Sequence, residues 1–220
     1  MSIDWAFAAE VFPHLVHALR ITAWATLAGM VLASLLGFVL TLARRSPIFL
    51  LSSGAYWCME FLRSTPLLIQ IYFMFYVLPS FGVRLNPMTT GIITLGLHYS
   101  AYLSEVYRAG IESVPKGQWD AARALNFTPA MTWRFVILPQ AIRPAMPAMG
   151  NYLIAMFKDT PMLSTITVLE VLQTAKILGA ERFRYLEPLT IVGGLFLALS
   201  LLSSVLIRIG ERKLGRIEIR

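Results

Sequence analysis

Long uncharged, apolar runs dominate this chain. Residues 21–43, between Arg20 and Arg44, form a run of 23 residues without a charge. Three further uncharged runs of 20 residues each follow, at residues 64–83, 85–104 and 188–207. A membrane-spanning helix needs about 20 predominantly apolar residues. The pattern therefore predicts four membrane-spanning helices.

A fifth, shorter run covers residues 144–157, with 14 uncharged residues before Lys158 and Asp159. This run is too short to cross a bilayer alone. It can cross only if its helix begins earlier, near Trp133, or if the charge pair enters the membrane. We predict a fifth crossing here, and hence an all-α integral membrane protein with five transmembrane helices.

The distribution of Lys and Arg predicts the orientation of these helices. Five crossings place the termini on opposite sides, and cytoplasmic loops carry the excess of positive charge. With the N-terminus outside, residues 44–49, 108–143 and 208–220 are cytoplasmic and contain two, five and five Lys or Arg. The outer segments contain five. The sequence therefore predicts an outer N-terminus and a cytoplasmic C-terminus.

Composition and charge exclude several other classes of protein. The chain is 57% hydrophobic and 14% charged, whereas a soluble domain carries about 25% charged residues, so a water-soluble enzyme is disfavoured. Twelve of the 19 Lys and Arg lie in the predicted cytoplasmic segments. The net charge of +7 is thus explained by topology, and no nucleic-acid partner is expected.

Reactive side chains are few, and they do not predict a catalytic or metal site. A single cysteine, Cys58, excludes an internal disulfide framework, and we expect it to be buried as a hydrophobic residue. His14 and His17 precede the first predicted span, and their spacing alone does not predict a metal site. No catalytic motif and no G-x-x-x-x-G-K-[ST] loop occurs, so we expect no nucleotide bound in that way.

The first predicted span has small residues every four positions. These residues are Ala25, Gly29, Ala33 and Gly37. Such a stripe lets two helix backbones approach closely within a membrane. It predicts a helix–helix contact, with chance in an Ala-rich helix as the alternative.

Residues 113–143 form the longest predicted cytoplasmic segment between spans. Residues 119–125 predict a short helix with Trp119, Ala122 and Leu125 near one face, followed by Asn126 in a left-handed conformation. Thr128 and Pro129 then predict the N-cap and first residue of a second helix, which runs through Trp133, Phe135 and Ile137 to Leu138 and Pro139. Two helices joined by a sharp turn make a rigid protrusion, which suits the transfer of a partner's motion to the membrane.

Here the chain resembles the permease subunits of bacterial ABC importers. Their signature cytoplasmic loop reads E-A-A, a Gly a few residues later, then I-x-L-P. This chain offers the corresponding residues Asp120, Ala121, Ala122, Asn126, Ile137, Leu138 and Pro139. Further stretches, residues 60–68, 99–102, 110–118 and 158–160, resemble the polar amino acid uptake branch (histidine, glutamine and arginine permeases). Asp120 replaces the usual Glu and keeps its negative charge. Asn126 replaces the usual Gly and still tolerates a positive φ.

The resemblance implies the type I ABC importer permease fold in a bacterial inner (plasma) membrane. It divides the chain into an outer N-terminal segment 1–16, a transmembrane domain 17–212 that includes the coupling segment 113–143, and a cytoplasmic tail 213–220. It also implies separate ATPase subunits that dock on residues 115–139 and bind ATP and Mg²⁺, so that this chain binds no cofactor and is not an enzyme. Further implied partners are membrane lipid, a second permease (identical or homologous) and a periplasmic or lipid-anchored binding protein at residues 79–91 and 160–187.

Ionisable residues within membrane helices usually face a cavity or a partner. Glu60 and Arg63 are three residues apart, so they share a helix face and can pair. An internal pair and a contact with substrate remain equally open for them. Thr65 and Pro66 follow, and a proline in a helix frees a backbone carbonyl that can line a transport site. Glu105 and Arg108 have the same spacing and are interpreted as structural.

Lys158, Asp159 and Thr160 form a second polar group, which Pro161 terminates. A charge pair with free backbone groups can receive the ammonium and carboxylate of a zwitterion. The alternative is a helix end at the outer interface, with Lys158 extended towards the headgroups. His98 lies in the third span and joins the candidate pathway, although a packing role with its nitrogens satisfied is its simpler interpretation.

The sequence thus predicts the membrane subunit of an ATP-driven importer for a polar amino acid or a related zwitterion. A compatible solute such as ectoine or hydroxyectoine is the alternative within transport. A membrane scaffold or an intramembrane enzyme is the alternative outside it, and neither needs the rigid cytoplasmic protrusion.

Overall fold

The computed structural model describes residues 3–215, with side chains up to Gly210. Every regular element within this range is helical, which confirms the predicted all-α class. The α-helices are α1 Trp5–Arg44, α2 Phe49–Ser64, α3 Leu67–Tyr72, α4 Pro87–Glu112, α5 Lys116–Ala124, α6 Pro129–Met131, α7 Leu138–Asp159, α8 Val171–Glu181 and α9 Leu186–Gly215. The π-helical turns are Phe73–Val77 and Thr132–Ile137, and the 3₁₀ segments are Leu78–Phe81 and Thr160–Ile166. Of the predicted tail 213–220, residues 216–220 lie outside the described range.

Helix α1 is longer than the uncharged run that predicted it. It has 40 residues, or roughly 60 Å at 1.5 Å per residue, and begins where the Asp4 carboxylate accepts the N–H groups of Ala6 and Phe7 at 3.0 and 3.1 Å. The predicted boundary between residues 16 and 17 therefore falls inside a continuous helix. His14 and His17 lie on exposed positions of this helix.

Only some of the predicted membrane crossings correspond to one uninterrupted apolar helix in the structure. Within the described residues, α1 and α9 are each long and apolar enough to cross a membrane. Two bent pairs qualify when their parts are taken together, Phe49–Ser64 with Leu67–Phe81 at 104° and Pro129–Ile166 with Val171–Glu181 at 48°. Helix α4 has 26 residues, but its composition is more polar, and it is not apolar enough along its length to qualify in the same way. The count of five crossings and their orientation stay predictions.

The second predicted span begins at a break between two helices. The uncharged run 64–83 begins at the last residue of α2, and the chain turns before it continues as α3. The cause is Pro66, which forces Thr65 into an extended conformation with ψ 136°. The helical part beyond this bend covers 15 residues, Leu67–Phe81, about 22 Å at 1.5 Å per residue.

The small-residue stripe of α1 packs against α4. Ala25, Gly29, Ala33 and Gly37 are all buried. A Cβ added to Gly37 would lie 2.9 Å from the carbonyl oxygen of Ser100, so the two backbones are nearly in contact. The predicted helix contact is therefore confirmed as a contact within this chain.

Cys58 was expected to be buried, and this is wrong. Its side chain is exposed, because it lies on the outer face of α2, whereas Ala55 and Met59 of the same helix point into the bundle. In a membrane protein an exposed apolar face meets lipid or another subunit. An apolar sequence therefore does not reveal whether a residue lies on such a face or in the core.

Candidate functional site

The break between α2 and α3 is held together by one amide side chain. Gln70 Nε2 donates to the Leu62 carbonyl at 2.8 Å, to the Thr65 carbonyl at 3.2 Å and to Thr65 Oγ1 at 2.6 Å. Gln70 Oε1 lies 3.2 Å from His98 Nδ1 on α4. The carbonyls freed by Pro66 are thus bound by protein, and the bend is fixed to the central helix.

His98 is buried and has a partner for Nδ1. Its predicted packing role fits this geometry. The ring lies 5.5 Å from the ring of Tyr99, edge to face. It therefore connects the bend of α2 and α3 to the next side chain along α4.

Asp159 and Tyr99 form a short polar contact between α7 and α4. The Tyr99 hydroxyl donates to Asp159 Oδ2 at 2.7 Å, within the range of a charge-assisted O–H···O⁻ bond. Asp159 is the last residue of α7 and is partly buried. Its Oδ1 has no hydrogen-bond partner among the described residues, so it is available to a ligand.

Lys158 and Thr160 do not converge with Asp159. Lys158 is exposed, because consecutive helical residues point about 100° apart. Thr160 is fully buried, and its hydroxyl donates to the Phe157 carbonyl at 2.7 Å. Of the three predicted residues, only Asp159 presents an unoccupied polar atom beside the tyrosine.

Three tyrosine rings continue from Asp159 along α4 and α7. The ring centroids of Tyr99, Tyr102 and Tyr152 are separated by 6.1 Å, 6.2 Å and 5.6 Å. Tyr99 and Tyr102 are one turn apart on α4, and Tyr152 lies two turns before Asp159 on α7. The spacing brings all three onto the faces where the two helices meet.

The predicted pairs Glu60–Arg63 and Glu105–Arg108 belong to one chain of ion pairs. Arg63 contacts Glu60 at 2.8 Å and Glu105 at 3.5 Å, which joins α2 to α4. Arg108 contacts Glu105 and Glu112, both at 2.7 Å. Every member is thus paired, and the structural interpretation fits Glu60 and Arg63 better than direct contact with substrate.

A cavity of about 400 Å³ lies between the same two helices. Its lining on α4 includes Tyr102, Glu105 and Arg108, and on α7 it includes Pro144 and Tyr152. Apart from Tyr152, which lies in the C-terminal half of α7, these residues belong to the C-terminal half of α4 and the N-terminal half of α7, which adjoin the coupling segment. In the predicted orientation the cavity is on the cytoplasmic side of the tyrosines.

The coupling segment begins with α5 and a sharp, well-defined turn. Asn126 has φ 54°, as its position predicted. The Phe127 N–H donates to the Ala122 carbonyl at 3.0 Å and the Asn126 N–H to the Arg123 carbonyl at 2.9 Å, which is the Schellman pattern of a helix end. Thr128 then caps the next helix by accepting the Met131 N–H at 3.3 Å, with Pro129 at its first position.

The second coupling helix does not end at Leu138 and Pro139, and that expectation was wrong. Helical structure continues from Pro129 through the π-helical turn at residues 132–137 into α7, which ends at Asp159. Pro139 directly follows the π-helical turn, where the local change in hydrogen-bond pattern accommodates a residue without an N–H. The early start required for the fifth crossing is therefore present.

Two tryptophans lock α5 against this continuous helix. The rings of Trp119 and Trp133 lie 5.5 Å apart, edge to face, and both pack on the buried residues Ile111, Val114, Ile137 and Ala141. Leu125 was expected on the same face but is 69% exposed, because α5 ends at Ala124 and Leu125 follows as its C-cap.

The signature residues divide into a buried set and an exposed set. Ala122 and Ile137 are buried and Leu138 is partly buried, whereas the exposed residues are Asp120, Ala121, Asn126 and Pro139. Asp120 pairs with Arg123 at 3.5 Å on a strongly exposed surface. The first set fixes the shape of the protrusion, and the second is free to contact another protein.

Four residues of the site were not predicted as such, namely Gln70, Tyr99, Tyr102 and Tyr152. Gln70 is the only amide in the run 64–83, and a lone polar residue in a membrane segment is a usable signal. The i, i+3 spacing of Tyr99 and Tyr102 is also visible in the sequence. Their meeting with Tyr152 depends on the packing of α4 against α7.

A broken helix beside a buried tyrosine–carboxylate contact, together with a rigid two-helix protrusion, is typical of a membrane transport subunit. Residues 25–216 match the family described as the binding-protein-dependent transport system inner membrane component. The chain belongs to this family. It is therefore an inner membrane permease of an ABC importer, which works with ATPase and substrate-binding partners, and ATP is hydrolysed on a separate subunit.

Named relatives support the same assignment. A probable amino-acid ABC transporter permease, y4tG, of Sinorhizobium fredii is 45% identical over 97% of this chain and 92% of its own length. The glutamine permease GlnP of Escherichia coli is 30% identical over 97% of this chain and 99% of its own. The L-cystine permease TcyB of Bacillus subtilis is 34% identical over 98% and 93%.

The fold agrees with solved permeases. A crystal structure of an amino acid ABC transporter with histidines matches with a TM-score of 0.90 and 33% identity, over 97% of this chain and all of that one. The inward-facing methionine transporter MetNI matches with a TM-score of 0.69 at 19% identity, which shows likeness of fold. The chain therefore has the predicted type I permease fold.

Proposed function

We propose that this chain imports a polar amino acid that is zwitterionic or cationic, and that Asp159 receives its ammonium group. The contact that carries the proposal is the 2.7 Å bond from the Tyr99 hydroxyl to Asp159 Oδ2. It orients the carboxylate and leaves Oδ1 free. The names of the relatives, which refer to amino acids, glutamine and L-cystine, favour an amino acid over ectoine.

The position of Asp159 suits a transport site. It ends α7 at the point where the helix gives way to a 3₁₀ segment, beside the tyrosines of α4. Transporters commonly place substrate at broken helices near the middle of the membrane, where backbone groups and a few polar side chains meet. Lys158 is exposed and takes no part in this contact.

The test is uptake of radiolabelled L-glutamine, L-arginine and L-histidine by the complete importer in proteoliposomes. Asp159→Asn keeps the size and removes the charge, so we expect at least about a tenfold rise in KM, the loss typical of a hydrogen bond to a charged group. The matched control is Lys158→Gln, which removes the neighbouring charge and should transport like the wild type. Unchanged KM in Asp159→Asn would contradict the assignment.

We further propose that ATPase subunits, which hold ATP and Mg²⁺, dock on the coupling segment at α5. Support comes from the exposed tip of this segment, where Asp120, Arg123 and Leu125 project while Trp119 and Trp133 hold the base. A side chain that projects from a rigid base can transmit a force to the membrane helices, because the base does not bend and absorb that force. ATP-driven closure of the ATPases would then move α5 and α7 together, because Gln140 Nε2 of α7 also donates to Gln118 Oε1 at 3.3 Å.

Reversal of one charge tests this docking. Asp120→Lys should lower both transport and substrate-stimulated ATPase activity, and the ATPase should co-purify less well. Ser46→Lys introduces the same side chain in the loop between α1 and α2, on the same predicted side, with a charge change of +1 instead of +2, and should leave both activities unchanged. Normal transport and coupled ATPase activity in Asp120→Lys would show that the docking surface lies elsewhere.

The remaining partners follow from the same proposal. A second permease, identical or homologous, would enclose the path that one chain leaves half open. A periplasmic or lipid-anchored binding protein would deliver substrate at residues 79–91 and 160–187. Membrane lipid would cover exposed apolar side chains such as Leu197, Leu201 and Val205 on α9.

A further inference from the structure

We propose that the cavity between α4 and α7 is a second binding site for the transported amino acid, separate from Asp159 and on its cytoplasmic side. This inference rests on the proposed function, because it places a second site on the same path. The residues that would form it are Tyr102, Tyr152, Glu105 and Arg108, all of which line the cavity of about 400 Å³.

The size and lining of the cavity match a site for a small solute. Binding pockets usually measure about 300–1,000 Å³ and combine apolar walls with a few polar groups. Here Val106, Ala109, Pro144 and Ala148 supply apolar walls, while two phenols, a carboxylate and a guanidinium supply the polar groups.

Among the described residues, the hydroxyl groups of the two tyrosines have no protein partner. Tyr99 donates to Asp159, whereas the hydroxyls of Tyr102 and Tyr152 make no hydrogen bond within the described residues. Both side chains are partly buried. Such hydroxyls satisfy their hydrogen bonds with whatever fills the cavity, either water or a polar ligand.

Glu105 and Arg108 provide opposite charges at the same wall. Arg108 uses Nε for Glu105 and Nη1 for Glu112, which leaves its Nη2 group as a donor for a carboxylate. Glu105 Oε2 is bound by Arg108, whereas Oε1 has only the longer contact with Arg63 at 3.5 Å and can accept an ammonium group. The neighbouring tyrosine faces attract cations as well. This arrangement fits both ends of an α-amino acid zwitterion.

The three rings of Tyr99, Tyr102 and Tyr152 lie between this cavity and Asp159. Tyr99 contacts Asp159, while Tyr102 and Tyr152 contact Tyr99 from the cavity side, with centroids about 6 Å away. A substrate leaving Asp159 towards the coupling segment therefore meets the cavity next. Two weak sites in series allow a substrate to bind and still leave, as conduction through a pore requires.

The experiment measures equilibrium binding of radiolabelled L-glutamine and L-arginine to the nucleotide-free complete importer, together with uptake. The variants are Tyr102→Phe, Tyr152→Phe and their double substitution, which keep the rings and remove only the hydroxyls. The control is Tyr107→Phe, which removes a hydroxyl from the same helix at a residue that does not line the cavity. Asp159→Asn reports on the first site.

We expect two bound molecules per permease chain in the wild type. Each hydroxyl removed should weaken the second event by about three- to tenfold, as for one hydrogen bond, and should lower maximal uptake without raising KM. Tyr107→Phe should bind and transport normally, and Asp159→Asn should weaken the first event and leave the second.

Other outcomes overturn the proposal in distinguishable ways. One bound molecule that is insensitive to Tyr102→Phe and Tyr152→Phe, with normal uptake, would show that the cavity holds only water. One bound molecule lost equally in Asp159→Asn and in the tyrosine variants would show a single combined site. Failure of the wild type to transport any of these amino acids would instead refute the proposed function.

Discussion

The contact between α1 and α4 makes a quantitative prediction for Gly37. A methyl group added there would lie 2.9 Å from the Ser100 carbonyl oxygen, 3.1 Å from Leu103 Cβ and 3.2 Å from the Ser104 amide nitrogen. Two of these atoms belong to backbone and cannot rotate away. The Thr41 hydroxyl, which donates to the Gly37 carbonyl at 2.8 Å and lies 3.0 Å from the Ser104 carbonyl, fixes the helices at this distance.

The matched control for Gly37→Ala is Gly54→Ala on α2. A Cβ at Gly54 has no neighbour within 4 Å, and both positions are inside helices. Replacing Gly by Ala in a helix stabilises by about 0.5–1 kcal/mol, and this gain is common to both variants. The difference between them therefore isolates the cost of the close contact, which is about 1–3 kcal/mol for an overpacked interior.

The measurement is the apparent melting temperature of the purified importer in detergent, at one fixed heating rate. For a chain of this length, 1 kcal/mol corresponds to about 2–4 °C. Gly54→Ala should melt at or above the wild-type temperature, and Gly37→Ala should melt at least about 2 °C below Gly54→Ala. If Gly37→Ala were as stable as Gly54→Ala, the helices would be able to separate freely, and the packing argument would be wrong.

Two further predictions concern single residues outside the helix contact. Asn126→Ala should destabilise the coupling segment by about 1 kcal/mol, because the φ of 54° at this position is costly for a residue with an ordinary Cβ. Asn126→Gly should not destabilise it. Equal melting temperatures for the two variants would contradict this. Burial raises the pKa of the Glu170 carboxyl from 4.5 to about 7, although the Leu172 and Gln173 N–H groups that it accepts act in the opposite direction. The folded state therefore holds this proton more tightly than the unfolded state, so stability should fall as pH rises from about 4.5 to 7. The melting temperature of Glu170→Gln should fall less over this range, and identical pH profiles would refute the assignment.

Local patterns predicted the elements whose causes are local. The turn at Asn126, the cap at Thr128 and the pair Glu60–Arg63 each depend on residues within five positions, and each is present. The small-residue stripe of α1 also appears as predicted, because its period is that of the helix itself. The early start of the fifth candidate helix followed from a length requirement, which is equally local.

Other features depended on which helices meet. The run 64–83 reads as one span, yet the chain bends by 104° at its start, where Pro66 breaks the helix and Gln70 binds the Leu62 carbonyl. The sequence did not predict that Cys58 is exposed, because a lipid-facing surface and a core surface have the same apolar composition. The ion pair between Arg63 and Glu105 joins residues 42 positions apart, and no spacing rule connects them.

The sequence by itself determined the class of protein and the position of the two-helix protrusion within residues 113–143, and it marked Asp159 as a candidate site residue. Apolar runs, cation placement and a helix-ending polar group are one-dimensional signals that a membrane environment imposes on any chain. Only the tertiary structure decided what stands beside Asp159. Tyr99, Tyr102 and Tyr152 reach one path because α4 packs against α7, and Gln70 reaches His98 because the chain bends at Pro66.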